Sequence, residues 1–270
     1  MSGSGIPTLL GAPFDAASSL QRGAAQAPAA IRTALRNPSS NSWTEDAVDV
    51  LAPGVFADAG DVPLANPDDG TAARIAIEGS VRAILASGGR PLVLGGDHSI
   101  SYPVLRAVGA RHQGLTVVHF DAHGDLYDEF EGDRYSHACP FSRVMEEGLA
   151  RRLIQIGIRT LNRHQWEQAA RFGAEVHEMR RWSGPFSIRV EGPVYISLDL
   201  DVLDPAFIAG IAHPEPGGLS VREVLTMIQR LEAPLVGADL VELNPANDLS
   251  PRSGLVAAKF LKELIAALVR

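Results

Sequence analysis

Short apolar runs recur along this chain and are separated by segments with helical periodicity. Six runs have the length and composition of buried strands, at residues 6–11, 91–95, 115–120, 153–158, 194–198 and 235–243. Between them, apolar residues recur every three or four positions in 77–85, 221–231 and 255–269, as in amphipathic helices. Apolar strands that alternate with such helices predict a parallel sheet covered on both faces. We therefore predict one three-layer α/β domain spanning residues 1–270.

The composition argues against several classes of function. The 32 acidic and 24 basic side chains give a net charge of −8, whereas a nucleic-acid binder normally has a basic face. No apolar run approaches the roughly 18 residues that cross a bilayer. The single cysteine, Cys139, excludes an internal disulfide and fits a reducing compartment. We expect a cytoplasmic protein that binds a small molecule, without nucleic-acid or membrane partners.

Polar clusters follow four of the predicted strands, at the edge where ligand sites gather in open α/β sheets. Side chains alternate along a strand, so residues two apart at a strand end project to the same side. Asp125 extends this series if the backbone stays extended, and the two glycines before His98 would allow a sharp turn. The clusters are Gly95, Gly96, Asp97 and His98; Asp121, His123 and Asp125; Asp199 and Asp201; and Glu242 ahead of Asn244 and Pro245.

Each cluster alone has an ordinary explanation, such as a turn, a helix cap or an ion pair. Together they place several carboxylates side by side, where like charges raise one another's pKa values. Two divalent metal ions would balance the charge of four aspartates, and two neutral histidines would complete the ligand set. A set rich in carboxylates and without thiolates favours Mn²⁺ over Zn²⁺, and a metal pair predicts metal-assisted hydrolysis. The six candidate ligands are His98, Asp121, His123, Asp125, Asp199 and Asp201.

The motifs GGDHS, DAHxD, SxDxDxxDP and ExNP resemble, in this order, those of the ureohydrolases, the family of arginase and agmatinase. The resemblance extends from residues 11–14 to the final helix. It is strongest to plant-type arginases, in stretches such as RPLVLGGDHSISYPV (90–104) and FEGDRYSHA (130–138), and to the Nω-hydroxy-L-arginine amidinohydrolase of D-cycloserine biosynthesis. It implies an arginase-type fold, with an eight-stranded parallel sheet flanked by helices, and a site for two Mn²⁺ ions.

The resemblance also implies roles for individual residues. The six candidate ligands match the family's metal ligands, and Asp125 would in addition orient the attacking water. His137 matches the histidine that transfers a proton to the leaving amine. Glu242 matches the acid that holds the guanidinium, whose planar N–H groups pair well with a carboxylate.

The substrate end of the site is less defined by the resemblance. Animal-type arginases hold the α-carboxylate with an asparagine and a serine, but Tyr127 stands at the asparagine position. Gly124 replaces a residue that often has a side chain in relatives, so we expect extra space beside the metals, enough for a hydroxylated guanidine. Ser136 and His213 are further candidates for substrate contacts, and Ser18 and Ser19 are weaker ones. Asp97 and Asp204 are expected to support turns or ligands.

These observations favour hydrolysis of Nω-hydroxy-L-arginine to hydroxyurea and L-ornithine, with L-arginine as a close second substrate. Agmatine and a non-catalytic binding protein of the same fold are the alternatives. A one-zinc deacetylase of this fold would not need both His98 and Asp201. The last predicted helix ends near Arg270, so the tail that helps animal arginases to trimerise is expected to be missing. Monomer and homo-oligomer both stay open.

Overall fold

A computed structural model describes residues 5–248 and 250–270. The strands are β1 (Pro7–Ala12), β2 (Ala57–Asp61), β3 (Arg90–Gly95), β4 (Thr116–Phe120), β5 (Arg152–Ile158), β6 (Glu175–Glu178), β7 (Val194–Asp199) and β8 (Leu235–Val241). The α-helices are α1 (Ala27–Leu35), α2 (Gly70–Ala86), α3 (Ser101–Arg111), α4 (Pro140–Glu146), α5 (Arg163–Phe172), α6 (Val221–Gln229) and α7 (Arg252–Val269).

All eight strands form one parallel sheet in the order β2-β1-β3-β8-β7-β4-β5-β6. Successive residues of each strand face opposite sides of the sheet. On one face, Leu92 and Leu94 of β3 pack in a core with α1, α6 and α7. On the other, Val93 belongs to a core with α2, α3 and α4. The predicted three-layer α/β architecture, with an eight-stranded parallel sheet, is confirmed.

All six strands predicted from apolar runs are present, and two strands were not predicted. Both lie at the edges of the sheet. All five residues of β2 are exposed, and β6 is a short segment with the sequence EVHE. An edge strand has a neighbour on one side only and need not be apolar, so its hydrophobic signal is weak.

The helix α6 begins with a side-chain cap at Ser220. The Ser220 side chain accepts a hydrogen bond from the backbone of Glu223, and Glu223 bonds back to Ser220, which completes a capping box. Within the described residues, no helix has the length and apolar character needed to cross a membrane.

Candidate active site

The four polar clusters meet at one edge of the sheet. They follow β3, β8, β7 and β4, which are neighbours at its centre. Because these strands are parallel, their carboxyl ends lie together. A side-chain atom of every predicted metal ligand lies within 3.3 Å of a side-chain atom of another. We call the six residues the acidic cluster: His98, Asp121, His123, Asp125, Asp199 and Asp201.

The Nδ1 atom of His98 faces three carboxylates. Oδ2 atoms of Asp121, Asp125 and Asp199 lie 3.1, 2.9 and 3.1 Å from it. Nδ1 is buried and has no hydrogen-bond partner among the described residues. Burial disfavours a charged imidazole, but the three carboxylates outweigh it and hold the pKa of His98 well above its ordinary value. The cluster therefore attracts positive charge to this position.

The other ring nitrogen of His98 is tied to a buried chain of hydrogen bonds. Nε2 lies 3.0 Å from the Ser197 hydroxyl, which donates to Asp239 at 2.6 Å. The Tyr195 hydroxyl donates to the second oxygen of Asp239 at 2.8 Å, and all three side chains are buried. Because the Ser197 proton is committed to Asp239, His98 donates from Nε2. Nδ1 is then the ring nitrogen that faces the carboxylates, and its lone pair becomes available to a metal ion that displaces the Nδ1 proton.

His123 forms the second half of the acidic cluster. Its Nδ1 lies 2.8 Å from Oδ2 of Asp201 and 3.3 Å from Oδ1 of Asp121. Asp121 therefore contacts His98 through one oxygen and His123 through the other. A carboxylate in this position can bridge two ions.

The charges of the acidic cluster fit a pair of divalent cations. Burial and the neighbouring carboxylates raise the pKa of Asp199 well above its ordinary value. Burial and Asp121 raise the pKa of Asp201 to about 6. Cations would relieve this repulsion, and four carboxylates with two imidazoles are ligands that divalent metals accept.

The sequence assigned no role to His119, which lies near the carboxyl end of β4. Its Nε2 donates to Oδ2 of Asp121 at 2.7 Å, and its Nδ1 accepts from the Gln155 amide at 3.0 Å. A polar side chain inside an apolar strand needs a buried partner, and this signal could have identified His119. The same signal applies to Ser197 in β7 and Asp239 in β8.

Asp125 adopts a left-handed backbone conformation, with φ of 49°. The backbone does not stay extended as far as Asp125, so this residue does not continue the alternating series of Asp121 and His123. The chain turns, and the turn brings the Asp125 carboxylate to His98. Glu242 has a similar φ of 64°. Such conformations cost on the order of 1–3 kcal/mol in non-glycine residues and are concentrated at functional sites.

The glycines before His98 also differ from expectation. Neither Gly95 nor Gly96 has a positive φ, so neither supplies a special turn. A Cβ on Gly96 would lie 1.7 Å from the carbonyl oxygen of Phe14. Close packing of two backbone segments, not turning, therefore requires this glycine.

Glu242 and His137 lie beside the acidic cluster. Oε1 of Glu242 accepts from the backbone N–H of His98 at 2.8 Å and lies 3.3 Å from Nδ1 of His137. Oε2 of Glu242 is buried and has no partner among the described residues. Burial lowers the pKa of His137, but the bond to Glu242 outweighs this and raises it to about 9. The site thus offers an unpaired carboxylate oxygen and a proton donor.

Comparison with known proteins identifies the family. The Arginase family model matches residues 7–267. The chain belongs to the arginase family. Mitochondrial arginase 1 of Arabidopsis thaliana is 47% identical over 275 residues, 96% of this chain and 80% of the relative. Guanidinopropionase of Pseudomonas aeruginosa is 37% identical over 96% of this chain and 86% of its own.

The solved structures agree with this assignment. Arginase from Medicago truncatula matches with a TM-score of 0.92 and 42% identity, over 98% of this chain and 88% of the other. The resemblance to plant-type arginases is thereby confirmed. As a member of the arginase family, the chain is a hydrolase that acts on guanidino groups. Its acidic cluster is able to bind metal ions.

In this arginase-family chain a cavity of about 220 Å³ is lined by Glu242, His137 and four residues of the acidic cluster, namely His123, Asp125, Asp199 and Asp201. No lysine or arginine of the described residues lines it. Burial and His137 lower the pKa of His213, which keeps that side chain neutral. We call five further lining residues the neutral wall: Ser19, Tyr127, Phe130, Thr160 and His213.

Two of the four predicted substrate-binding residues lie in the neutral wall. The Tyr127 hydroxyl oxygen accepts from the Asn162 amide at 2.7 Å, and its ring stacks on His164 with centroids 5.7 Å apart. The His213 ring lies 4.9 Å from that of His137. Ser19 Oγ is 2.9 Å from Nε2 of His137.

The other two predicted substrate-binding residues do not line the cavity. Ser136 is buried, and its hydroxyl accepts from the backbone N–H of Ala138 at 3.4 Å. The expected space beside Gly124 is absent. A Cβ there would lie 2.4 Å from Leu161 Cδ2 and 2.7 Å from Gln165 Oε1, so these side chains already fill it. The expectation that Gly124 widens the pocket is wrong.

Two predicted supporting aspartates make hydrogen bonds to loops. Asp97 accepts from the backbone of Ser99 at 3.0 Å and of Ala17 at 3.0 Å, which joins the N-terminal loop to the site. Asp204 accepts from the backbone of Ala206 and Gly217. These contacts are consistent with turn-supporting roles.

Proposed function

We propose that this guanidino hydrolase cleaves L-arginine to urea and L-ornithine. The observation that carries the proposal is the buried Oε2 of Glu242, which has no hydrogen-bond partner among the described residues. Burying a carboxylate oxygen without a partner is costly unless a ligand supplies the missing contact. A guanidinium brings both the positive charge and the planar N–H groups that a carboxylate accepts.

We propose that the acidic cluster holds two Mn²⁺ ions, one beside His98 and one beside His123. Four carboxylates and two imidazoles, without a thiolate, favour Mn²⁺ over Zn²⁺. When bound, the ions supply the positive charge that makes water a nucleophile at neutral pH. The orientation of His98 through Ser197 and Asp239 prepares one nitrogen lone pair for this role.

The residues of the chain perform the remaining steps. Glu242 holds the guanidinium beside Asp125, and the Asp125 carboxylate accepts a hydrogen bond from the attacking water. The water oxygen adds to the guanidinium carbon as one of its protons passes to Asp125, and the bond from that carbon to the substrate's side-chain nitrogen breaks. The leaving nitrogen takes a proton. His137, with a pKa of about 9 and its Nδ1 next to Glu242, is suited to donate it.

Two observations favour L-arginine among the candidate substrates. The relative that is 47% identical is an arginase. The space that motivated Nω-hydroxy-L-arginine is filled by Leu161 and Gln165. Tyr127 also supports a substrate with a carboxylate, because its oxygen accepts from Asn162 and its own proton stays free to donate. Agmatine lacks that carboxylate.

Initial rates on several guanidines test the proposal. The protein loaded with Mn²⁺ is assayed with L-arginine, Nω-hydroxy-L-arginine and agmatine side by side. We expect the highest kcat/KM for L-arginine, roughly tenfold above agmatine, which is the effect of one hydrogen bond to a charged group. A higher kcat/KM for either of the others would refute the choice of substrate. Fewer than one manganese per chain, with no turnover, would instead favour a binding protein.

A further inference from the structure

A second group of metal-binding side chains lies in the same cavity, next to the acidic cluster. His137, His213 and Glu242 each offer one ligand atom, and these atoms all lie within 4.8 Å of one another. Nδ1 of His137 is 3.3 Å from Oε1 of Glu242, and the rings of the two histidines are 4.9 Å apart. We propose that these three residues form a separate zinc site, at which Zn²⁺ competes with the guanidino substrate for Glu242.

The ligand types distinguish this site from the acidic cluster. Two imidazoles and one carboxylate form a ligand set that Zn²⁺ uses in proteins, with the fourth position left open. The acidic cluster has twice as many carboxylates as imidazoles, which favours harder ions such as Mn²⁺. The two neighbouring sites therefore prefer different metals.

The atoms of the proposed site are available to an ion. Oε2 of Glu242 is buried and has no partner among the described residues. His213 and His137 both line the cavity, from which an ion can reach them. Nδ1 of His137 faces Glu242, and a zinc ion bound there would displace the proton that Nδ1 shares with Glu242.

Charge explains why zinc and substrate would exclude each other. Two divalent ions balance the four aspartates of the acidic cluster, which leaves the carboxylate of Glu242 for one more cation. A guanidinium or a zinc ion can occupy that position, but not both. Zinc binding itself does not depend on the substrate, whereas this competition rests on the proposed function of Glu242.

Metal analysis of the full chain tests the site directly. The protein is saturated with Mn²⁺, mixed with one equivalent of Zn²⁺, separated from free metal and analysed for both elements. We expect one zinc gained per chain with no loss of manganese. Zinc gained together with an equal loss of manganese would mean that it only replaces the ions of the acidic cluster, and would overturn the proposal.

Variants identify the ligands. His213→Asn and Glu242→Gln should each lose this zinc, while His112→Asn, a histidine that does not line the cavity, should keep it. If the wild type binds one zinc ion per chain more than His213→Asn does, that ion is bound at the proposed site. This comparison holds whichever ions fill the acidic cluster. Circular dichroism checks that each variant folds. Zinc retained by a folded His213→Asn variant contradicts the proposal.

Kinetics test the competition separately. Added Zn²⁺ should raise the KM for L-arginine and leave kcat unchanged in the wild type, and should have at least tenfold less effect on KM in His213→Asn. A fall in kcat at constant KM would contradict competition for Glu242. If the wild type does not hydrolyse L-arginine, the proposed function fails, and the metal analysis still decides whether the zinc site exists.

Discussion

Four residues of the acidic cluster line the same cavity as the neutral wall, but the cluster and the wall are held in different ways. Behind the cluster, His98 and Asp121 are fixed by buried hydrogen bonds to Ser197 and His119. In the wall, Tyr127 is only partly buried and is held by one amide hydrogen bond and by aromatic contacts. The cluster lies at the ends of central strands, whereas the wall is built from loops.

This difference separates the residues that carry out the reaction from the residues that select the substrate. A rigid sheet edge holds the groups that must keep a fixed geometry for catalysis, and loops can vary without disturbing it. We therefore expect substitutions in the acidic cluster to abolish the reaction with every substrate. Substitutions in the neutral wall should instead change which guanidine is preferred.

The largest effect is expected from Asp121→Ala. Asp121 contacts both histidines of the acidic cluster, so its loss removes a ligand from both predicted ion positions. We expect fewer than two metal ions per chain and a decrease in kcat/KM on the order of 10³-fold, for L-arginine and agmatine alike. Metal analysis and steady-state kinetics measure both. Wild-type metal content in the variant would contradict the assignment of the cluster.

A smaller effect on the same region is expected from Asp239→Asn. The new amide can donate to Ser197, whose hydroxyl would then donate to Nε2 of His98 and move the imidazole proton to Nδ1. We expect the affinity for one of the two metal ions to fall roughly 10- to 100-fold. Calorimetric titration of the metal-free protein with Mn²⁺ measures this.

Ser220→Ala is the control for Asp239→Asn, because it should lower the stability of the fold without touching the acidic cluster. It removes the N-cap of α6, for which we expect about 1 kcal/mol of lost stability. Metal affinity should stay at the wild-type value. Equal losses of affinity in both variants would mean that Asp239 acts only through stability.

The smallest effect is expected from Tyr127→Phe, in the neutral wall. It removes the free hydroxyl proton and keeps the ring that stacks on His164. We expect KM for L-arginine to rise roughly three- to tenfold, the effect of one hydrogen bond, with kcat and metal content unchanged. Agmatine, which has no carboxylate, should be hydrolysed as by the wild type. An equal rise in KM for both substrates would remove the distinction between cluster and wall.

The sequence predicts the centre of the molecule better than its edges. Central strands are buried on both faces and leave long apolar runs, whereas β2 is wholly exposed and leaves none. The acidic cluster could be predicted because its carboxylates follow these runs at regular spacings. The left-handed turn at Asp125 could not, since it depends on contacts from other strands.

The residues behind the cluster could not be paired from spacing alone. Ser197 and Asp239 are partners in the register of β7 and β8, and His119 and Gln155 are partners in that of β4 and β5. Strand order and register bring these side chains together, and neither is apparent in a single sequence. The prediction about Gly124 failed for a related reason. The space that a glycine seemed to leave is filled by side chains from a distant segment of the chain.

The central claim is that the unpaired oxygen of Glu242 receives the guanidinium of L-arginine. The most direct test is the kcat/KM of Glu242→Gln for L-arginine, measured in preparations that hold the same two manganese ions per chain as the wild type. The account predicts a decrease of roughly 10- to 100-fold, the loss of a charge-assisted hydrogen bond. A kcat/KM within about twofold of the wild type, with both ions present, would contradict it.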